Sequence, residues 1–302
     1  MKKFRILPII LYLIIAIFSF AGSYTRMEKI ENKQVKNNVV YIKDESKPFT
    51  GKLVGEESLE EYRDGIRDGF FKRKLLHEGK DFICEGKYIE GIKHGMWTIK
   101  YPNGKHRAIL EYSYDKPCGQ WKYFYENNQI ESFENFENGI LSGEVKFFDK
   151  NGNLMIRANY LEGLLNGSFL RYYSPKKIET ATNFSYGKIN GTIKIFSKEG
   201  TLLMEGNYKE NIRENTWRIF YKTGDIKTVF SYKNGKKEGE SIIYDKAGLV
   251  VQKSLFKDGR EVGVESLKKR KEIFRDKIVD SFKKFNRDLK YQEYDKILSS
   301  LW

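Results

Sequence analysis

"YIEGIKHGMW", residues 88–97, reads alone as a turn between two strands, but "YLEGLLNGSF" at 160–169 and "YKNGKKEGES" at 232–241 have the same shape. An aromatic residue opens each copy: Tyr88, Tyr112, Phe136, Tyr160, Phe184, Tyr208, Tyr232 and Phe256, every step 24 residues with no insertion. A looser copy opens at Tyr62, two residues out of that frame, and "KPFTGK" at 47–52 precedes it. Self-similarity at a fixed period is the mark of a repeat architecture.

Three residues after the aromatic come Gly91, Gly139, Gly163, Gly187, Gly235 and Gly259, with Asp115 and Asn211 in the other copies. Seven after it come Gly95, Gly119, Gly143, Gly167, Gly191, Gly239 and Gly263, with Asn215 in the remaining one. Asn and Asp are the residues that replace glycine where φ is positive, so both are turn positions. Sixteen after the aromatic lie Gly104, Gly152, Gly200, Gly224 and Gly248, in hairpin sequences such as "PNGK".

Two short strands lie between the turns. Trp97, Ile99 and Tyr101, then Trp121, Tyr123 and Tyr125, then Trp217, Ile219 and Tyr221 follow period two and share a face. Small residues on the return strand (Ala158, Thr182, Gly206) leave room for large neighbours. The predicted core is therefore Tyr88, Trp97, Tyr112, Trp121, Phe136, Tyr160, Phe184, Tyr208, Trp217, Tyr232 and Phe256. One hairpin is not stable in water, but stacked hairpins bury a continuous stripe. The fold class follows: mainly β, an elongated single-layer antiparallel sheet of 24-residue β-hairpin repeats over 47–263.

The frame "Y-x-x-G-x-x-x-G-x-W" resembles the MORN repeat, and its 24-residue spacing is similar to the bacterial MORN-repeat variant grouped as YwqK-like proteins. The resemblance covers about residues 45–263. It implies a scaffold or protein-interaction module, with phospholipid binding as an alternative. Some YwqK-like proteins carry an antitoxin label, which implies an antitoxin- or immunity-like partner role.

The flanks differ from the repeats. Lys2, Lys3 and Arg5 precede an apolar run from Ile6 to about Ala21, read as a secretory signal cut after Ala21 or as an N-terminal apolar helix anchoring the chain through residues 6–24. Either reading places the rest outside the cytoplasm. Residues 22–46 are polar and read as a linker. After Gly263 the chain has no Gly or Pro, and Leu267, Phe274, Ile278, Phe282, Phe285 and Leu289 are spaced as an amphipathic helix. Residues 264–302 carry 11 basic and 7 acidic side chains, and read as a helical cap on the sheet or as a basic surface-binding tail.

Little points to catalysis. His77, His94 and His106 have no further ligand spaced for a metal, and no cofactor motif appears. Cys84 and Cys118 leave a disulfide open. A formal net charge of +14 favours anionic surfaces but carries no nucleic-acid motif. The aromatics twelve after each opening residue, Phe124, Phe148, Tyr172, Phe196, Phe220 and Tyr244, alternate away from the tryptophan face. They form a candidate partner-binding stripe. The expected function is a non-enzymatic cell-envelope scaffold that binds a protein along this stripe. The alternative is anionic lipid or glycan binding through basic rims and the tail.

Overall fold

The computed structural model describes residues 26–77 and 79–266, and they form two compact units. Unit 1 holds residues 26–105 with Glu111–Lys116; unit 2 holds His106–Leu110 with residues 117–266. The predicted N-terminal apolar helix and all but the first three residues of the predicted tail helix lie outside the described residues; those three, Val264–Ser266, end the last strand, Arg260–Ser266.

Unit 1 is a ladder of hairpins. Gly51–Gly55, Ser58–Arg63, Ile66–His77, Lys80–Ile89 and Ile92–Lys100 pair antiparallel in chain order. Residues 26–46, predicted to be a linker, are structured instead. Met27–Lys29 pairs parallel with Gly51–Gly55, and Lys33–Lys36 forms a hairpin with Val39–Ile42. Asn37 and Asn38 both take positive φ, as a two-residue hairpin turn requires. The alternation in "VVYI" buries Val40 and Ile42 against Phe49, Leu53 and Tyr62. That burial makes the segment a cap on the first repeat rather than a tether.

Unit 2 continues the same grammar. Gly119–Phe124, Ile130–Glu137, Gly143–Phe148, Leu154–Leu161, Leu164–Ser174 and Lys177–Ser185 are antiparallel neighbours in that order. The ladder goes on through Gly191–Phe196, Leu202–Lys209, Ile212–Phe220, Ile226–Lys233, Gly239–Tyr244, Val250–Lys257 and Arg260–Ser266. Each unit is thus mainly β, an antiparallel sheet of hairpin repeats.

The turn positions behave as their residue types demand. Asp115 and Asn211 have φ of 63° and 70°, in the region Gly91 occupies at 84°. They do more than glycine: Asp115 Oδ1 accepts the Lys93 N–H at 2.8 Å, and Asn211 Oδ1 accepts the Ile189 N–H at 2.7 Å. The residue before each of these positions is also left-handed, whatever its type, Glu90, Tyr114, Asn138, Glu162 and Tyr186 among them. Two successive positive φ values make a type I′ turn, whose twist matches the strands it joins. Successive repeats are also bonded turn to turn, as in Gly163 N–H to the Leu141 carbonyl at 2.9 Å and Gly187 N–H to Leu165 at 2.8 Å.

At the other end of the strands unit 2 alternates with a period of two repeats. Tyr125, Tyr173 and Tyr221 donate their hydroxyls to the carbonyls of Phe148, Phe196 and Tyr244 in the next repeat, at 2.7, 3.2 and 2.8 Å. The equivalent residues in the intervening repeats are Asp149, Ser197 and Asp245. They cap their own hairpins, Asp149 Oδ1 accepting from the Asn151 and Asn153 N–H groups at 2.9 and 2.8 Å. Tyr221→Phe is expected to lower stability by about 1 kcal/mol, the net worth of one such bond, measured by urea unfolding. An unchanged midpoint would show that the stitch contributes nothing.

The core is the inner face of each sheet. In unit 1 Trp97 stands edge to face with Tyr88, centroids 5.0 Å apart, and with Tyr112 at 6.3 Å. In unit 2 Trp217 does the same between Tyr208 and Tyr232, at 5.2 and 5.8 Å. Large rings fit because the neighbouring strand has nothing in their way. A Cβ on Gly86 would lie 2.2 Å from Trp97, and one on Gly206 would lie 2.2 Å from Trp217. Of the predicted core aromatics, all are buried except Phe256, which is half-buried in the next-to-last strand.

Candidate binding face

Four cations lie on the inner, aromatic face. Arg67 and Lys93 are buried in unit 1, Arg67 over the rings of Phe71 and Tyr88 and Lys93 4.4 Å from the Tyr112 centroid. In unit 2 Arg213 lies over Trp217 and Tyr232, and Lys237 over Phe230 and Phe256. All four stand five residues after an opening aromatic, where other repeats carry Leu141, Leu165 and Ile189. Their long stems replace an aliphatic side chain, and each charge is met by ring faces, an attraction of about 0.5–2 kcal/mol. Arg67 and Lys93 are part of the core and Arg213 and Lys237 are half-buried at its edge, and reasoning from the sequence missed them because Arg and Lys are rarely inside.

The outer face of unit 2 is different. Its side chains fall into three rows that cross the strands, because the residues come from equivalent positions of successive repeats. The first row is amide and hydroxyl apart from Glu144. Gln120 pairs with Asn135, Glu144 with Asn159, Ser168 with Asn183, and Thr192 with Asn207, all in register. Gln120 Nε2 donates to Asn135 Oδ1 at 3.3 Å, Asn159 Nδ2 to Ser168 Oγ at 2.8 Å, and Thr192 Oγ1 to Asn207 Oδ1 at 3.1 Å. In these four repeats the asparagine directly precedes the opening aromatic ("NF", "NY", "NF", "NY"), a signal visible in the sequence.

The second row is charged. Lys146 is opposite Arg157, and Glu205 is opposite both Lys194 and Arg218. Glu144 is held by Lys146 and Arg157; burial raises its carboxyl, and these two partners outweigh that and leave it below the ordinary glutamate value. Arg218 bonds Glu205 at 2.9 Å. Lys122 and Lys194 have no ion-pair partner among the described residues.

The third row is the predicted stripe. Phe124, Phe148, Tyr172, Phe196, Phe220 and Tyr244 are all half-buried. Phe148 stands edge to face with Phe133 at 5.7 Å, and Phe133 alternates with Ser132 and Glu134, which are buried on the inner face. That alternation places Phe148 on the outer face. Phe124 lies 6.3 Å from the His106 ring.

Between the first two rows runs a groove of about 270 Å³ lined by Thr192, Lys194, Glu205, Asn207, Thr216 and Arg218, with Gly206 in its floor. The ladder is irregular there: between the pairs Glu205–Arg218 and Asn207–Glu214 one strand has only Gly206 and the other has Asn215, Thr216 and Trp217. Such a bulge opens the strand locally.

None of the remaining predicted sites is a member of these three rows. Cys84 and Cys118 are not joined, so the disulfide left open by the sequence is not formed. The cross-strand neighbours of Cys84 are Arg73 and Ile99, and burial pushes its thiol up to about 12. His94 packs on Tyr114 at 5.4 Å and His77 on Phe82 at 6.4 Å. Among the described residues no three His, Cys, Asp or Glu gather as a metal site. The predicted turn glycines Gly91, Gly95, Gly119, Gly139, Gly143, Gly163, Gly167, Gly187, Gly191, Gly235 and Gly239 all have positive φ and serve the backbone.

Residues 93–114, 117–140 and 141–162 match the model of the MORN repeat variant. These segments cover three consecutive turns of the frame. No curated protein matches the chain. Repeats of this family are generally associated with protein or membrane binding.

Proposed function

We propose that this chain, a MORN-variant repeat protein, is a non-enzymatic scaffold of the cell envelope that holds a protein partner on the outer face of unit 2. The observation that carries this reading is the half-buried aromatic row from Phe124 to Tyr244, repeated at equal spacing beside a charged row. Aromatic rings contribute large contact area at little entropic cost, and flanking charges set the orientation of a partner. The basic start and apolar run of residues 1–21 support a place outside the cytoplasm.

A photo-crosslinking residue at Tyr172 tests the reading in intact cells. It is expected to trap one envelope protein, and the same residue at Lys150, in an exposed hairpin turn, is expected to trap none. Identical products at both positions, or none at Tyr172, would remove the support for a protein-binding face. Anionic vesicles competing for the purified chain, with binding lost steeply as salt rises, would favour the lipid alternative.

A further inference from the structure

The scaffold reading leaves the partner's chemistry open, and the spacing of the rows narrows it. Neighbouring strands lie about 4.8 Å apart, so equivalent residues of successive repeats recur about every 9.6 Å. A polyproline II helix has three residues per turn at 3.1 Å each, and so presents the same edge about every 9.3 Å. An extended β-strand presents the same edge about every 6.7 Å, and falls out of step within one repeat.

Side-chain chemistry agrees with the spacing. Phe148, Tyr172, Phe196 and Phe220 form an aromatic row, the surface on which proline-rich segments dock. Beside it the second row is cationic on balance: Lys122, Lys146, Arg157, Lys194 and Arg218 stand against Glu205, and Glu144 lies in the first row. Lys194, without an ion-pair partner among the described residues, and Arg218 both line the groove of about 270 Å³. Arg218 uses one of its five donors on Glu205 in the bond above, and a guanidinium can take a second carboxylate.

We infer that the partner engages this face through an acidic, proline-rich segment in the polyproline II conformation. The segment lies across the repeats. Every third residue rests on the aromatic row, and carboxylates between them reach Lys194 and Arg218. This inference rests on the protein-scaffold reading. Because sheets twist from strand to strand, a straight segment meets two or three repeats, or about nine residues.

The test uses the full-length chain and fluorescent peptides of about fifteen residues, read by anisotropy. A repeating Pro-Pro-Glu peptide is expected to bind, and a Gly-Ser-Glu peptide of equal charge to bind about tenfold more weakly, since it lacks the preformed helix. Phe196→Ser with Phe220→Ser is expected to weaken Pro-Pro-Glu binding about tenfold, and Lys194→Gln with Arg218→Gln to flatten its salt dependence. Equal binding of the two peptides, no binding of either, or an acidic polysaccharide displacing the peptide from these residues would overturn the inference. If the Tyr172 crosslink forms and Pro-Pro-Glu does not compete with it, the scaffold reading stands and only this inference falls.

Discussion

Glu60→Ala lowers the stability of unit 1 by about 3–5 kcal/mol, the cost of leaving buried charges without their counter-ion. Glu60 is fully buried on the strand Ser58–Arg63. Lys33 Nζ reaches it at 2.7 Å, Arg73 Nε lies at 3.4 Å, and the Tyr62 hydroxyl donates to it. Lys33 belongs to the N-terminal hairpin, so this carboxylate also fastens the cap to the first repeat. Hydrogen exchange in the variant is expected to speed up in Val39–Ile42 before it does in the Trp97 repeat. Burial raises the Glu60 carboxyl, but Lys33, Tyr62 and Arg73 outweigh it and leave it below the ordinary glutamate value. A depressed carboxyl contributes stability above its unfolded value and loses it as pH falls through the folded one. The gap between wild type and Glu60→Gln therefore closes as pH drops below about 4. A gap in urea midpoints that persists unchanged into acid would refute this assignment.

Trp217→Ala is the second large effect, a loss of about 3–5 kcal/mol. The side chain is 1% exposed and lies against Gly206 between two tyrosines. The reciprocal change, Gly206→Ala, costs about 1–3 kcal/mol, because its methyl must displace the indole. The two faults should partly cancel, since the methyl enters space the indole vacates. The double variant is therefore expected to be more stable than the sum of the single losses predicts. Strict additivity in guanidinium unfolding would mean that the two residues do not share one site.

What could be read from the sequence was what repetition makes visible. Tyr88, Gly91 and Trp97 recur in frame, and each has one physical job, so residue type alone identified strand, turn and core. Asp115 and Asn211 confirmed the turn by being the substitutes a positive φ admits, and both have it. The two-residue turn itself was not legible, because its first position holds Glu90, Tyr114 or Tyr186, types that carry no turn signal. Tyr114 and Tyr186 are 71% and 60% exposed there, in a conformation a glycine or asparagine would adopt at less cost. The hairpin over Lys33–Ile42 did carry a signal, "NN" before the apolar run "VVYI", but its charged flanks made it read as a linker. Buried Arg67 and Lys93 were out of reach, since the Tyr88 and Tyr112 rings that meet their charges come from other strands.

The candidate face was legible in part. The stripe from Phe124 to Tyr244 follows from the frame, and the structure adds that its members are half-buried. The asparagine row and the groove at Gly206 depend on register and on a bulge, which the spacing of residues along one strand does not determine. Face and charge, unlike fold, emerge only when neighbouring repeats are paired.

The most direct test of the outer-face claim is the affinity of the crosslinked partner for a chain carrying Phe148→Ser, Tyr172→Ser and Phe196→Ser. These positions are half-buried and outside the inner core, so the far-ultraviolet spectrum of a β-sheet should persist. The account predicts that this folded variant loses at least about 2 kcal/mol of binding, the scale of an interface hot spot. A folded variant that binds the partner as tightly as wild type would contradict it.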